Sequence, residues 1–191
     1  LAHALARYHN GGRQGCAMVG TLGIGVPPQV VSTGMTTPDP VCLQYAFADY
    51  ARQGIAACAI EASSIGIEEH RLDGTAIHTA VFTNFTQDHL DYHQTFENYR
   101  DAKKAFFDSL PASAFAITNT DDKNGLFMTQ NTKARIKSYS LKNASDYKAK
   151  ILEESFEGMS LEIDGQEVFV QFVGRFNASN LLAAYGTLCQ L

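Results

Sequence analysis

Runs of lysine or arginine are absent from this 191-residue chain, and its formal net charge is −5 with a pI near 5.6. That balance excludes the basic surface a nucleic-acid partner requires. No apolar stretch reaches the roughly 18–20 residues of a membrane helix, and no secretory leader precedes the first element, so a soluble protein of the cytoplasm with no membrane partner is expected. Internal repeats and low-complexity segments are missing too, which leaves a globular unit rather than an array. Cysteine is sparse. Cys16, Cys42, Cys58 and Cys189 lie far apart among apolar neighbours and read as reduced core thiols, not as a disulfide frame or a zinc knot. Lysine does not occur before Lys103, nor histidine after His93, and no physical requirement of the sequence explains that segregation.

The length suits one domain with a real core, and a single domain over residues 1–191 is expected. Leu1, Leu5 and Tyr8 read as the inside of a helix with no capping residue before it, ended by Asn10-Gly11-Gly12. Cys16 to Thr21 reads as a short strand and Gly23 to Pro28 as a loop. Pro38 to Pro40 opens a helix with Leu43, Phe47, Tyr50 and Ala51 on one face, stopped by Gly54. Ile55 to Ala62 is the next strand, with Glu61 at its carboxyl end. Ile77 to Phe82 is another, ending at Thr83-Asn84, where open parallel sheets place their ligand groups. A helix marked by Phe96, Tyr99, Phe106 and Phe107 follows, then a strand at Ser113 to Asn119.

This alternation predicts an α/β fold, a mostly parallel sheet with flanking helices. The pattern changes at Met159, Leu161 and Ile163, which alternate with polar residues, as do Val168, Val170 and Phe172 beyond the Asp164-Gly165 turn. An antiparallel ribbon is therefore appended to the sheet. The chain closes on a helix with Leu181, Leu182, Tyr185 and Leu188 inward.

Chemistry-bearing residues concentrate between Glu61 and Lys103. Glu61, ending an apolar strand, reads as a metal ligand, a base or an acceptor for the Ser63-Ser64 turn. Asp88 with Asp91, and His89 with His93, fall three and four residues apart, so each pair shares a face of a helical turn; the HxxxH pair lacks the Glu of HExxH. Lys103 lies seven residues after Phe96, on the apolar stripe, where an ammonium must snorkel, pair with an acid or change chemically. A neutral amine in a shielded site can add carbon dioxide, and the resulting carbamate is an oxygen ligand suited to magnesium. Ser32 to Thr37, and Ser63-Ser64 with Arg71, offer hydroxyls, helix amides and a guanidinium to an anionic substrate, or ordinary capping. Gly20, Gly23 and Gly25 do not have the order of a dinucleotide fingerprint.

Taken in order, STGMTTP, EASSIGIEEHR, VFTNFTQDHLDYH, ENYRDAKK and GRFNASNLLAA resemble the Mur ligase family along essentially the whole chain. Within it they are most similar to the members that add the third residue of the peptidoglycan peptide. The resemblance implies a P-loop NTPase-like central domain that binds ATP. It further implies ligation of diaminopimelate or lysine to a UDP-N-acetylmuramoyl dipeptide through an acyl phosphate, with Mg2+, by a monomeric cytoplasmic enzyme. Another superfamily member such as a folylpolyglutamate synthase, or a non-catalytic nucleotide-binding remnant, are the alternatives; the TTP and DHLDYH segments favour the muramoyl reading.

By the same resemblance, Glu61 and His89 match magnesium ligands and Lys103 a carbamylated lysine, and these three carry catalysis. Thr36, Thr37, Ser63 and Arg71 match residues that hold the muramoyl peptide, as does position 69. Asn84, Asn177 and Asn180 match residues beside the nucleotide. The chain departs from the family at Ile65, where relatives often have His, and at Glu69, where a Gln is usual, which adds a charge to the substrate site. It also has no GTNGKT-type phosphate loop. The expectation is thus a central domain truncated before its first helix, without the amino-terminal UDP-binding and carboxy-terminal amino-acid-binding domains, and inactive alone.

Overall fold

The computed structural model describes residues 1–8, 15–86 and 90–191. The ending of the first helix at Asn10-Gly11-Gly12 lies outside the described residues, as do Asp88 and His89. The chain divides into two compact units, residues 1–76 with 89–103 and residues 77–88 with 104–191.

In the first unit α1 (Ala2–Tyr8), β1 (Cys16–Gly20), β2 (Gly23–Val26), β3 (Gln29–Val31), α2 (Pro40–Arg52), β4 (Ala57–Ile60) and α3 (Ser64–Glu68) follow in turn. The sheet order is β3-β2-β1-β4, with β1 parallel to β4 and β2 antiparallel to both its neighbours. A parallel pair needs a long crossover, and α2 provides it. Asp39 starts that helix: its carboxylate accepts from the amides of Val41 and Cys42, both at 3.0 Å, just before Pro40. The segment read as a loop, Gly23 to Pro28, is in fact β2 and its turn. Gly23 and Gly25 take φ of 128° and 154°, and their missing side chains admit the carbonyls of Val31 and Gln29, which a Cβ would meet at 2.3 and 2.2 Å. Glycine reads as a breaker in sequence; here it lets a neighbouring strand approach. Ala17 and Val19 of β1 and Leu43 of α2 form the buried apolar interior of this unit.

Next come β5 (Thr79–Phe82), α4 (Leu90–His93), α5 (Phe96–Asp108), β6 (Phe115–Asn119), α6 (Gly125–Met128), β7 (Arg135–Ser140), β8 (Tyr147–Glu154), β9 (Met159–Ile163), β10 (Gln166–Val170) and α7 (Arg175–Leu188). Helix α4 and the first part of α5 belong to the first unit, and α5 from Lys104 onward to the second. The second unit's sheet runs β10-β9-β8-β7-β6-β5, with β5 to β8 mutually parallel and β8-β9-β10 antiparallel. The expected ribbon is there, turned by Asp164 and Gly165, whose φ of 50° and 77° give the left-handed pair that a two-residue hairpin needs. The Tyr185 hydroxyl of α7 donates to the Asp164 carboxylate at that turn.

Strand β6 alternates between two buried clusters. Ala116 joins Ala80, Phe82, Phe107, Leu110, Ala114, Met128 and Ala134 on one side, and Ile117 joins Tyr139, Ala149, Leu182 and Ala183 on the other. Coverage of both faces is what parallel strands flanked by helices require. The lysine most deeply placed on α5 is Lys104, buried and paired with Asp108 one turn on at 2.6 and 2.7 Å. Lys103, singled out from the apolar stripe, is half-buried.

Two outcomes follow. Phe107→Ala removes a ring from the cluster around Met128 and lowers unfolding stability by about 3–5 kcal/mol, read as a fall in the urea midpoint at unchanged m-value. Asp146 supplies a pH-dependent increment. Burial raises the Asp146 pKa, but hydrogen bonds from Lys137 Nζ and from the Ser138 amide and hydroxyl outweigh that and hold the carboxyl below its ordinary 3.8. Because the folded value lies below the unfolded one, the stabilisation is complete above 3.8 and is lost as pH falls through the lower folded value. The melting-temperature gap between wild type and Asp146→Asn therefore closes on acidification from about pH 6 to about pH 3.

Candidate active site

The parallel register of β1 and β4 pairs Val19 with Ile60, so both strands deliver their next residues to the same carboxyl edge. The Glu61 amide continues the pairing by donating to the Val19 carbonyl at 2.8 Å. Its Oε2 then accepts from the Thr21 amide at 3.2 Å and the Thr21 hydroxyl at 3.1 Å. The Thr21 hydroxyl also lies 3.1 Å from that of Thr36. With its single proton on Glu61, Thr21 accepts from Thr36. Thr37 is fully buried: its hydroxyl donates to the Glu61 carbonyl at 2.8 Å and accepts from the Ser63 amide at 3.0 Å. Ser63 Oγ caps α3 by accepting from the Gly66 amide at 3.0 Å. Glu61, Thr36, Thr37 and Ser63 thus belong to one connected network, and the capping reading of Ser63 and the binding reading coexist on one hydroxyl, since an accepting hydroxyl keeps its own proton to donate.

Arg71 is anchored on the same network. Its Nη1 donates to the Thr37 carbonyl at 2.8 Å, while Nε and Nη2 donate to Glu69 Oε2 at 2.9 and 2.5 Å. The guanidinium is engaged from both sides, and the charge of Glu69 is balanced within the chain. Tyr92 of α4 donates to the other Glu69 oxygen at 3.4 Å. Desolvation and the charges of Glu69 and Glu68 push the Tyr92 phenol above its ordinary range.

Lys103 sits on α5 with Nζ 5.2 Å from the centroid of the Tyr99 ring, a cation–π contact. Buried Tyr99 stacks on His93 at 5.2 Å and 30°, and His93 Nε2 lies 2.8 Å from Ser64 Oγ. His89 lies outside the described residues. Among the described residues no three His, Cys, Asp or Glu side chains form a group that could hold a metal; the expected set takes one donor from His89 and one from a lysine. Glu61 suits a divalent cation as far as it goes: an exposed, hard oxygen donor steadied through Oε2. Lys103 as an ammonium does not suit one, and only its carbamate would.

The nucleotide candidates belong to the second unit. Asn84 is exposed just beyond β5. Next to it the Thr83 carbonyl accepts from Asn119 Nδ2, at the end of β6, at 2.7 Å, and the same amide reaches Ser179 of α7 at 3.5 Å. Asn177 and Asn180 lie in the first turns of α7, with the Asn177 amide donating to the Val173 carbonyl at 2.8 Å. The carboxyl ends of β5 and β6 are thereby tied to the start of α7. Thr21, Asn119 and His93 were not anticipated as parts of these networks. The first two sit at the carboxyl ends of parallel strands, a signal that could have found them; His93 had only its spacing from His89. Thr37→Val keeps the shape and deletes both hydroxyl bonds, and destabilises this chain by about 1–3 kcal/mol in a denaturant titration.

Comparison with known proteins places the chain in a family. The model of the Mur ligase middle domain matches residues 1–188. The UDP-N-acetylmuramoyl-L-alanyl-D-glutamate–2,6-diaminopimelate ligase of Phocaeicola vulgatus is 52% identical over 174 residues, covering 91% of this chain and 36% of that protein. A solved structure of a ligase with the same description superposes with a TM-score of 0.82 at 35% identity, over 99% of this chain and 40% of that one. A structure described as an FPGS–AMPPCP complex shares the fold at a TM-score of 0.64 and 11% identity, over 99% of this chain and 55% of that one. The chain spans little more than a third of the curated relative it matches at 52% identity. On the family match along almost its whole length, this chain belongs to the Mur ligase family as a middle domain.

Proposed function

We propose that the protein carrying this chain is an ATP-dependent ligase that joins diaminopimelate to UDP-N-acetylmuramoyl-L-alanyl-D-glutamate in peptidoglycan synthesis. The observation that carries the reading is the network at the carboxyl edge of β1 and β4, where Glu61, Thr21, Thr36, Thr37 and Ser63 are joined by hydrogen bonds. The relatives named for this reaction support diaminopimelate over lysine as the added residue, and they support a muramoyl substrate over the folate-type alternative, which rests on fold alone. A monomer working in the cytoplasm completes the proposal.

The roles follow from the chemistry of the side chains. Thr36 and Ser63 present hydroxyls to the muramoyl peptide, and Thr37, whose buried hydroxyl joins the Glu61 carbonyl to the Ser63 amide, holds that wall of the site in place. Arg71, its charge offset by Glu69 and its place fixed by the Thr37 carbonyl, keeps its remaining N–H groups for the muramoyl peptide. Asn84, Asn177 and Asn180 hold ATP. Lys103 Nζ, once neutral, forms an N–C bond with carbon dioxide and releases one proton to solvent, which turns a cation into an oxygen ligand. Glu61, His89 and that carbamate would hold Mg2+, whose bound charge offsets the negative charge of phosphates and carboxylate. The substrate carboxylate takes the γ-phosphoryl group of ATP as ADP leaves, and the amine of diaminopimelate then attacks the acyl carbon, forming the amide as inorganic phosphate and a proton depart.

The full-length protein is expected to release phosphate from ATP only when both the muramoyl dipeptide and diaminopimelate are present. Lys103→Arg keeps a cation and cannot form the carbamate, and lowers kcat by about a hundredfold or more. Phosphate release that ignores the muramoyl dipeptide, or a Lys103→Arg protein at wild-type rate, would sink the proposal.

A further inference from the structure

The ring of His93 is completely buried, yet it is polar at both ends. Nε2 lies 2.8 Å from the buried Ser64 hydroxyl, and Nδ1 lies 3.0 Å from a Glu68 carboxylate oxygen without hydrogen-bond alignment. Tyr99 stacks on one face, and Tyr92 meets the ring edge-on at 5.0 Å and 76°. Its own carbonyl accepts from the Thr95 amide at 2.8 Å and the Asn98 side chain at 3.0 Å, which fixes the turn between α4 and α5. Burying an imidazole in this way is costly when a phenyl ring would fill the same space, so its hydrogen-bonding capacity is what the position uses. Ser64 directly follows Ser63, whose amide bonds Thr37 and whose hydroxyl caps α3. Through Tyr99 the same ring reaches the face of α5 that carries Lys103.

We propose that His93 is a positioning residue for the muramoyl peptide: its hydrogen bond to Ser64 sets the Ser63-Ser64 turn relative to α5, so that the Ser63 hydroxyl meets the substrate in register. The inference rests on the function proposed above and adds to it a residue that touches neither substrate nor metal. It acts through a short buried hydrogen bond and a ring stack, and its effect falls on substrate binding before it falls on the chemical step.

The experiment uses steady-state kinetics on the full-length protein with UDP-N-acetylmuramoyl-L-alanyl-D-glutamate, ATP and diaminopimelate, alongside melting temperatures. His93→Phe keeps the stack and the volume but loses the bond to Ser64. It raises KM for the muramoyl dipeptide by about tenfold or more, with KM for ATP and kcat changed by less than about threefold. Ser64→Ala removes the same bond from the other side and reproduces the increase, and the two substitutions together do no more than either alone. His93→Gln, whose amide nitrogen occupies the place of Nε2, restores KM to within about threefold of wild type. If His93→Phe does not fold, Ser64→Ala and His93→Gln carry the test.

An unchanged muramoyl KM with a lowered melting temperature makes His93 merely structural and overturns the proposal. Equal rises in both KM values, additive single effects, or a His93→Gln protein no better than His93→Phe overturn it as well. A wild-type protein indifferent to the muramoyl dipeptide overturns the function itself, and with it this inference.

Discussion

Everything at the candidate site depends on the parallel pairing of β1 with β4. That pairing makes two strands end at one edge, so that Thr21 and Glu61, distant in sequence, share hydrogen bonds through a single carboxylate oxygen. A lone glutamate at a strand end would sample rotamers in water; one oxygen tied to an amide and a hydroxyl holds it in one place, and a hydroxyl chain then extends the order to Thr36. Thr37 adds a second tie by bonding the backbone on both sides of Ala62, through the Glu61 carbonyl and the Ser63 amide. Main-chain groups thus supply the Thr21 amide, the Glu61 carbonyl and the Ser63 amide to this network.

Charge is handled in the same local manner. Arg71 and Glu69 neutralise one another while Arg71 also bonds the Thr37 carbonyl, so Glu69 is a brace and not a stray anion. On α5 the two adjacent lysines differ in their surroundings. Lys104 is buried and paired with Asp108, whereas Lys103 is half-buried with Nζ over the Tyr99 ring. The second unit shows the equivalent economy: Asn119 links the end of β5 to α7 through one side-chain amide.

Much of this was legible in the residues. The strands at Cys16, Ile55, Ile77 and Ser113, the helices begun by Pro40 and Phe96, and the ribbon around Asp164-Gly165 all follow from periodicity and turn chemistry, and all are present within a residue or two. The misread segment, Gly23 to Val26, failed because glycine carries opposite meanings: in a chain read alone it marks a break, and in a sheet it permits the close approach that Val31 and Gln29 make. A spacing of seven residues put Lys103 on the inward stripe of α5, where it is half-buried, but carried no information on Lys104, which is buried against Asp108.

The amino-acid sequence by itself determined the α/β alternation, the appended ribbon and the family, because hydrophobic period, turn residues and ordered motifs are local properties that each segment carries alone. Only the tertiary structure decided that Thr21 grips Glu61, that Arg71 is braced by Glu69, and that His93 lies buried between Ser64 and Tyr99. Those are contacts between segments far apart in the chain, created by strand register and helix packing, and no spacing within one segment encodes them.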